Sequence, residues 1–261
     1  MATAASSLDA ASGNERFNSE AASWDSNPFV HEASKHALKA INQRFPALRP
    51  AAGSTGLNVL EIGCGTGLLS FMTAPLAKQV VAIDAAPGMI EVLKTKLKAP
   101  NSPDNIVPVA VLLTDPEDPS LPPANKDSPD GARLKFDLIT SHLVLHHVPD
   151  LEGLLTTMLG CLNDSGMVAL TDFEDYGPEA KAFHPQAKLE GVARHGIHID
   201  TMEKLMNKVG FVNVKVERAW AMDKMVEKFE GEFIGGKPGP GQGEVRSIPF
   251  VLITGQRKYC S

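Results

Sequence analysis

Three glycines recur at every second position directly after a short apolar run that carries a carboxylate. The run spans residues 58–62 and contains Glu61, and the glycines that follow it are Gly63, Gly65 and Gly67. An apolar segment resumes after the third glycine, so the order predicts a strand, a tight turn and a helix. A glycine turn of this kind lets the backbone approach a ligand closely and aims helix N–H groups at it. The stretch is therefore predicted to bind a nucleotide-like ligand.

The glycine spacing and the next acidic residue discriminate between two classes of nucleotide site. A dinucleotide site has the pattern GxGxxG and an acidic residue about 20 positions further on. Here the pattern is GxGxG, and Asp84 ends an apolar run at residues 80–83. A carboxylate at that place can accept hydrogen bonds from both hydroxyls of a ribose. The spacing and the absence of a Tyr-x-x-x-Lys pair disfavour an NAD(P)-dependent reductase.

Apolar runs alternate with amphipathic segments along most of the chain, which predicts an α/β fold. We expect a doubly wound, mostly parallel seven-stranded sheet, with strands at residues 58–62, 80–83, 105–113, 136–141, 167–171, 212–222 and 248–256. Helices are predicted at residues 15–24, 27–45, 68–77, 87–98, 150–162 and 200–209, with a weaker one at 179–189. No helical segment separates the last two strands, so they are predicted to pair antiparallel at one edge. Residues 114–133 are rich in Pro, Asp and Ser and predict a long surface loop.

Composition limits the class of protein and its partners. The chain has 261 residues, 43% of them hydrophobic, and a formal net charge of −6. The acidic balance disfavours nucleic acid and anionic membranes as partners, and no apolar run reaches the ~18 residues that span a bilayer. Three widely spaced cysteines indicate a reducing compartment, so a cytoplasmic location is expected. The chain is predicted to comprise a disordered tail (1–13), a helical lid segment (14–50) and a ligand-binding domain (51–261).

Four stretches together give the chain a family resemblance. They are the glycine turn, the segment Val81-Ala82-Ile83-Asp84 with Pro87-Gly88-Met89-Ile90, the segment Phe136-Asp137-Leu138-Ile139 with Leu145-His146-His147-Val148, and the antiparallel strands predicted after Gly210. In this combination the sequence resembles the class I S-adenosylmethionine (AdoMet)-dependent methyltransferases, over residues 59–257. The resemblance implies a Rossmann-like sheet, with AdoMet as cofactor and S-adenosylhomocysteine as product.

The resemblance also implies cofactor-binding roles around the glycine turn. It implies that the three glycines face the methionine part of AdoMet, and that Glu61 orders the loop or meets the amino group of the ligand. Asp84 would bind the ribose hydroxyls. The further cofactor contacts implied here are Cys64 in the turn, Ala85 and Met89 beside the adenine, and Trp24 in the lid segment.

Positions further along the chain follow the family pattern less closely. An acidic residue after the third strand is typical, and Asp115 fits, but Pro116 has no N–H to present to the adenine. Either Asp115 contacts the adenine amino group or the register shifts to residues 113–114. Ala86 stands where the family often has Ser or Thr, so the following helix lacks a side-chain cap. Ser141, at the end of the fourth strand, completes the predicted cofactor contacts.

Methyl transfer from a sulfonium depends on in-line approach and on exclusion of water. A base is needed only where the acceptor must lose a proton early. His142 and Asp172 follow the fourth and fifth strands, at the crevice end of the sheet, and are the candidates for catalytic residues. His195 and His198 would need a third ligand to bind a metal, so no metal site is predicted.

These observations together predict an AdoMet-dependent methyltransferase that transfers a methyl group to a small-molecule acceptor by direct in-line displacement. The alternative is an AdoMet-binding regulatory or scaffold protein without transfer activity. The two hypotheses differ in one measurable respect, which is whether bound AdoMet loses its methyl group to an acceptor.

Overall fold

A seven-stranded sheet forms the centre of the computed structural model, which describes residues 4–45, 48 and 56–259, with the backbone alone for residues 4–13. The strands are β1 (Asn58–Ile62), β2 (Gln79–Asp84), β3 (Ile106–Ala110), β4 (Phe136–His142), β5 (Leu162–Phe173), β6 (Val212–Val226) and β7 (Glu244–Gln256). Their spatial order is β3-β2-β1-β4-β5-β7-β6. Strands β1 to β5 pair parallel, and β7 lies antiparallel between β5 and β6. The predicted fold class is confirmed.

Six α-helices flank the sheet within the described ranges. They are α1 (Ala4–Trp24), α2 (Pro28–Arg44), α3 (Leu68–Thr73), α4 (Pro87–Leu97), α5 (Leu151–Cys161) and α6 (Ile199–Val209). Two of them begin with an ordinary side-chain cap, because Asn27 accepts from Phe29 N–H and Asp150 accepts from Gly153 N–H. None of these helices combines the length and the hydropathy needed to cross a lipid bilayer.

Successive residues of each strand pack on opposite faces of the sheet, as a pleated strand covered on both sides requires. In β1, Val59 packs in the core beneath α2, α3 and α4, whereas Leu60 packs in the core beneath α5 and α6. In β2, Val80 and Val81 divide between the same two cores. All four side chains are fully buried. Two apolar layers therefore hold the carboxyl ends of β1 and β2 side by side at the same end of the sheet.

Several element boundaries differ from the sequence prediction. The backbone is helical from Ala4 onwards, where the sequence predicts a disordered tail; this stretch is rich in alanine, the residue that favours helix most. Strand β3 ends at Ala110, three residues earlier than predicted, because its partner β2 also ends at that level. The helix predicted over 179–189 is two short 3₁₀ segments, since Pro185 interrupts it.

The start of α6 also differs from expectation. The sequence predicts that the helix begins at residue 200, but it begins at Ile199 and His198 caps it. The imidazole of His198 accepts a hydrogen bond from the Thr201 N–H at 3.4 Å. His198 is thus a capping residue, and it makes no contact with the cavity described below.

A single buried guanidinium organises the predicted loop at residues 114–133. The side chain of Arg133 is 6% exposed and donates hydrogen bonds to the carbonyl oxygens of Pro129 and Gly131, both at 2.6 Å, and of Leu121 at 3.2 Å. The loop is correctly predicted as lacking helix or strand, but its order comes from this side chain.

The two outer strands of the sheet are irregular. Strand β3 has five residues and contains Pro108, which lies opposite Ala82 of β2. Strand β6 has fifteen residues, and its register against β7 shifts twice, between 212 and 215 and between 218 and 220. Several positions along β6 carry charged side chains, including Lys215, Glu217 and Arg218.

We expect that Phe250→Ala destabilises the protein by about 3–5 kcal/mol, the usual cost of deleting a buried aromatic ring. Phe250 is fully buried in β7 and stacks on Trp220 with ring centroids 4.9 Å apart. Phe229→Ala is the matched control, because Phe229 is 66% exposed and its removal should cost less than about 0.5 kcal/mol. Urea unfolding would measure both values, and equal losses would contradict this account of the core.

Candidate functional site

A cavity of about 630 Å³ opens where the carboxyl ends of β1, β2 and β4 meet. In a doubly wound sheet, ligands bind in the crevice outside these carboxyl ends. The predicted site residues that line it are Trp24, Glu61, Gly63, Cys64, Gly65, Asp84, Ala85, Met89 and His142. Lining residues that the sequence prediction misses include Asn14, Phe17, Thr66, Val144 and His147. Most of these missed residues lie in segments outside the sheet, and local sequence patterns do not reveal where such segments lie over it.

The three glycines of the turn have different structural roles. All have positive φ, a region in which a side chain is strained. A Cβ on Gly63 would collide with the Val144 side chain, whereas the nearest atom to a Cβ on Gly65 would be Trp24 Nε1 at 3.8 Å. Only Gly65 therefore presents open space, as a backbone that approaches a ligand should.

The position of Gly67 does not match its predicted role as a cofactor contact. It does not line the cavity, and a Cβ there would collide with Leu93 of α4. Gly67 has φ +84 and precedes α3, so it allows the start of α3 to pack against α4. Its role in the structure is close packing, and the implied contact with a cofactor does not follow from its position.

The Asp84 carboxylate joins two segments at the floor of the cavity. Its Oδ2 accepts from the Gly65 N–H and its Oδ1 from the Ala86 N–H, both at 2.8 Å. Ala86 precedes α4 and offers no side-chain cap, and Asn18 Oδ1 accepts the Gly88 N–H in the first turn instead. Burial raises the pKa of Asp84, and the Ala86 and Gly65 N–H groups oppose that effect. Each oxygen keeps a second lone pair for a ligand hydroxyl.

Glu61 is a second carboxylate in the cavity wall. Its side chain is 2% exposed, and its Oε2 accepts a hydrogen bond from the Ser70 hydroxyl at 2.7 Å. Burial raises the pKa of Glu61 to about 8, although the Ser70 hydrogen bond acts in the opposite direction. A carboxylate held in this way gains a large stabilisation when a cation becomes its neighbour. Glu61 is therefore suited to a positively charged group of a ligand.

Helix α1 covers the cavity and is fastened to the sheet by polar contacts. Asp25, which follows the helix, accepts a hydrogen bond from the Thr66 hydroxyl and pairs with Lys96 Nζ at 2.7 Å. Asn18 Oδ1 accepts from the Gly88 N–H at 2.7 Å. The ring of Trp24 lines the cavity. These contacts hold the segment before the sheet against the cavity.

His142 lies at the end of β4 on the opposite side of the cavity. Its Nδ1 is 2.9 Å from the Thr171 hydroxyl, which donates to the Ser141 carbonyl at 3.4 Å. With the Thr171 proton directed at the Ser141 carbonyl, Nδ1 donates to the Thr171 oxygen, and Nε2 is then an acceptor. Nε2 has no hydrogen-bond partner among the described residues. Burial lowers the pKa of His142 to about 4, so the ring is neutral near pH 7.

Two predicted site residues at the strand ends do not line the cavity. Ser141 is fully buried and its hydroxyl donates to the Ile62 carbonyl at 2.8 Å, so it joins β4 to β1. Asp172 is also fully buried, and its carboxylate accepts from the N–H groups of His146 and Phe173 and from His146 Nδ1. Burial raises the pKa of Asp172, but these partners outweigh burial and lower it overall. Neither side chain lines the cavity, so their predicted roles do not follow from their positions.

Asp115 is a fourth predicted site residue that lies outside the cavity lining. Its carboxylate accepts from the Glu117 N–H at 2.8 Å in an exposed turn outside the cavity lining. Leu113 and Thr114 line the cavity instead. The register shift considered as the alternative, to residues 113–114, matches the geometry of this segment.

Three histidines meet beside the cavity, although no metal site is predicted from the sequence. Ring nitrogens of His146, His147 and His184 all lie within 4.8 Å of one another. His147 also lines the cavity, and its Nδ1 is 2.8 Å from the Gly191 carbonyl. His195 and His198, the two histidines that the sequence analysis considers as metal ligands, are not part of this cluster.

We expect that Glu61→Gln stabilises the ligand-free protein increasingly as pH rises from about 5 to about 8. The folded protein favours neutral Glu61, so the stability that this preference contributes is fully present below the ordinary pKa of 4.5 and is lost as pH rises through about 8. Gln imitates the neutral acid at every pH and avoids that loss. The difference in Tm between variant and wild type should grow by about 2–4 °C for each kcal/mol of unfolding free energy that the wild type loses.

Glu179→Gln is the control, because Glu179 is exposed and its substitution should change Tm little at any pH. Thermal unfolding between pH 5 and pH 8 measures both differences. A Glu61→Gln offset that stays constant over this range would contradict the buried state inferred for Glu61.

Relatives of known class place the chain in a family. A family profile described as a methyltransferase domain matches residues 29–216. An uncharacterized methyltransferase of Schizosaccharomyces pombe is 32% identical over 145 residues, which cover 54% of this chain and 48% of that protein. A ubiquinone biosynthesis O-methyltransferase of Xanthomonas campestris pv. campestris is 32% identical over 136 residues, covering 52% of this chain and 50% of that protein. The chain thus spans about half the length of these relatives.

A solved structure shows the same fold. The complex of DhpI with SAH superposes with a TM-score of 0.61 at 17% identity, covering 95% of this chain and 97% of that one. Strand order, cavity position and family profile agree with one another. The chain therefore belongs to the class I methyltransferase family.

Proposed function

We propose that the protein is an AdoMet-dependent methyltransferase that methylates a small molecule by direct in-line displacement. The observation that carries the proposal is the pair of carboxylates, the buried Glu61 and the partly buried Asp84, in one cavity beside the open backbone of Gly65. The chemistry of this set fits AdoMet, which has an ammonium group and a ribose diol. When bound, AdoMet supplies an electrophilic methyl group on its sulfonium sulfur.

The residues of the cavity divide between cofactor and acceptor. Glu61 would bind the amino group of the cofactor and Asp84 the ribose hydroxyls. His142 faces the cavity from β4, on the acceptor side, and its free Nε2 would accept a hydrogen bond from the acceptor. With a pKa of about 4, His142 orients the proton of a hydroxyl more effectively than it removes that proton in advance.

The walls of the cavity and the names of one group of relatives support the class of acceptor that we propose. The remaining walls are mainly apolar, with Leu112, Leu113 and Val144 among the lining residues. Apolar walls with a few polar groups are typical of small-molecule sites. Names of relatives that refer to ubiquinone biosynthesis support a phenolic acceptor. We propose this class of acceptor, a cytoplasmic location and no nucleic-acid or membrane partner.

Incubation of the purified protein with methyl-labelled AdoMet and a panel of phenols, amines and thiols tests the proposal. Label transfer to a phenol together with formation of S-adenosylhomocysteine is expected. AdoMet binding without transfer to any member of the panel would favour the regulatory or scaffold alternative. Thermal stabilisation by NADH but not by AdoMet or S-adenosylhomocysteine would contradict the proposal.

We expect that Asp84→Ala weakens AdoMet binding by about 1.5–3 kcal/mol, as for the loss of hydrogen bonds to a charged group. Asp84→Asn keeps an oxygen for one backbone N–H and should lie between wild type and Asp84→Ala. Asp115→Ala is the matched control, since the Asp115 carboxylate lies outside the cavity. Calorimetric titration gives the three dissociation constants. An effect of Asp115→Ala equal to that of Asp84→Ala would refute the assignment of the ribose to Asp84.

We expect that His142→Ala lowers kcat about 100-fold for a phenolic acceptor, the lower end of what a positioned proton acceptor contributes. The dissociation constant of AdoMet should stay unchanged, because His142 is assigned to the acceptor side. His142→Gln, which keeps a hydrogen-bond acceptor, should recover part of the loss. Steady-state kinetics separates these effects, and an undiminished kcat in His142→Ala would exclude the proposed role.

A further inference from the structure

The three-histidine cluster contains buried ring nitrogens that have no protein partner. His146 follows β4, is 2% exposed and lies with its ring centroid 3.9 Å from that of His147 and 5.0 Å from that of His184. Nε2 of His146 and Nδ1 of His184 form no hydrogen bond with any described residue. Buried polar atoms nearly always have a partner, so two such atoms in one cluster indicate a missing ligand.

Hydrogen bonds on the far side of two rings direct their free nitrogens into the cluster. His146 Nδ1 lies 2.8 Å from Asp172 Oδ1, and His147 Nδ1 lies 2.8 Å from the Gly191 carbonyl oxygen. Ionised carboxylate and carbonyl oxygens only accept, so each Nδ1 carries a proton and each Nε2 keeps its lone pair. Histidines that bind metals are held in this way, by a carboxylate or a carbonyl behind the ring.

The charge around the cluster also suits a metal. Asp172, which is fully buried behind His146, supplies a compensating negative charge.

We propose that His146, His147 and His184 bind one divalent transition metal ion, with Zn²⁺ the first candidate. Imidazole ligands suit this class of ion, and three protein ligands leave a fourth position for an exchangeable group. Tetrahedral Zn–N bonds of ~2.0–2.1 Å bring ligand nitrogens to ~3.3 Å from one another. The ligand nitrogens here lie within 4.8 Å of one another, so binding of the ion requires the rings to move closer together. Since His147 also lines the cavity, the ion stands in the cavity wall.

Titration of the tag-free, chelator-treated full chain with Zn²⁺ in a competing chelator tests the proposal. One ion per chain is expected. His184→Ala should weaken binding at least ~100-fold, and Asp172→Asn by about 10–100-fold, the usual effect of losing the group behind a ligating histidine. His195→Ala is the matched control and should leave the affinity unchanged, because His195 is outside the cluster. Co²⁺ loading should give the intense visible absorption of a tetrahedral site in wild type and His195→Ala but not in His184→Ala.

A folding check accompanies each variant. Circular dichroism establishes that the variants fold, and should His184→Ala fail this check, His147→Gln takes its place with the same expected loss. Wild-type protein that binds no Zn²⁺ at micromolar concentration would overturn the proposal, as would equal affinity in wild type and the cluster variants. The titration requires neither AdoMet nor an acceptor, so its result is independent of methyl transfer.

Discussion

The Asp84 carboxylate is the interaction on which the rest of the site depends. Its two oxygens accept backbone N–H groups from the turn after β1 and from the start of α4. One charge at the end of β2 thus fixes two loops that contribute to the cavity. The parallel sheet supplies the framework, because β1 and β2 are buried on both faces and end at the same level. A ligand hydroxyl that reaches Asp84 meets a group already oriented by the backbone.

Much of this arrangement is predictable because it is local in sequence. The strand, glycine turn and helix lie within about fifteen residues, and Asp84 ends the very next strand. Binary patterns of this kind determine an element without reference to distant contacts. The strands of the sheet and the antiparallel pair at its edge follow from the same periodicities.

The incorrect site predictions have a different physical origin, since they depend on which way a single side chain points. Neighbouring residues of a strand face opposite sides, so Ser141 is buried where His142 lines the cavity. Asp172 points towards His146, which the chain supplies from another loop. His184 is 37 positions beyond His147 in a segment without regular periodicity, and only the tertiary structure brings the two rings together. Arg133, the centre of its own loop, is likewise invisible in local sequence.

The irregular outer strands have a consequence for association between molecules. An open sheet exposes unpaired N–H and C=O groups at both edges, and such edges recruit strands from other chains. At one edge β3 is short and its Pro108 has no N–H to donate. At the other, the register shifts and charged side chains of β6 interrupt any continuous ladder. Neither edge is a good template for intermolecular strand pairing, which protects a sheet of seven strands against aggregation at high concentration.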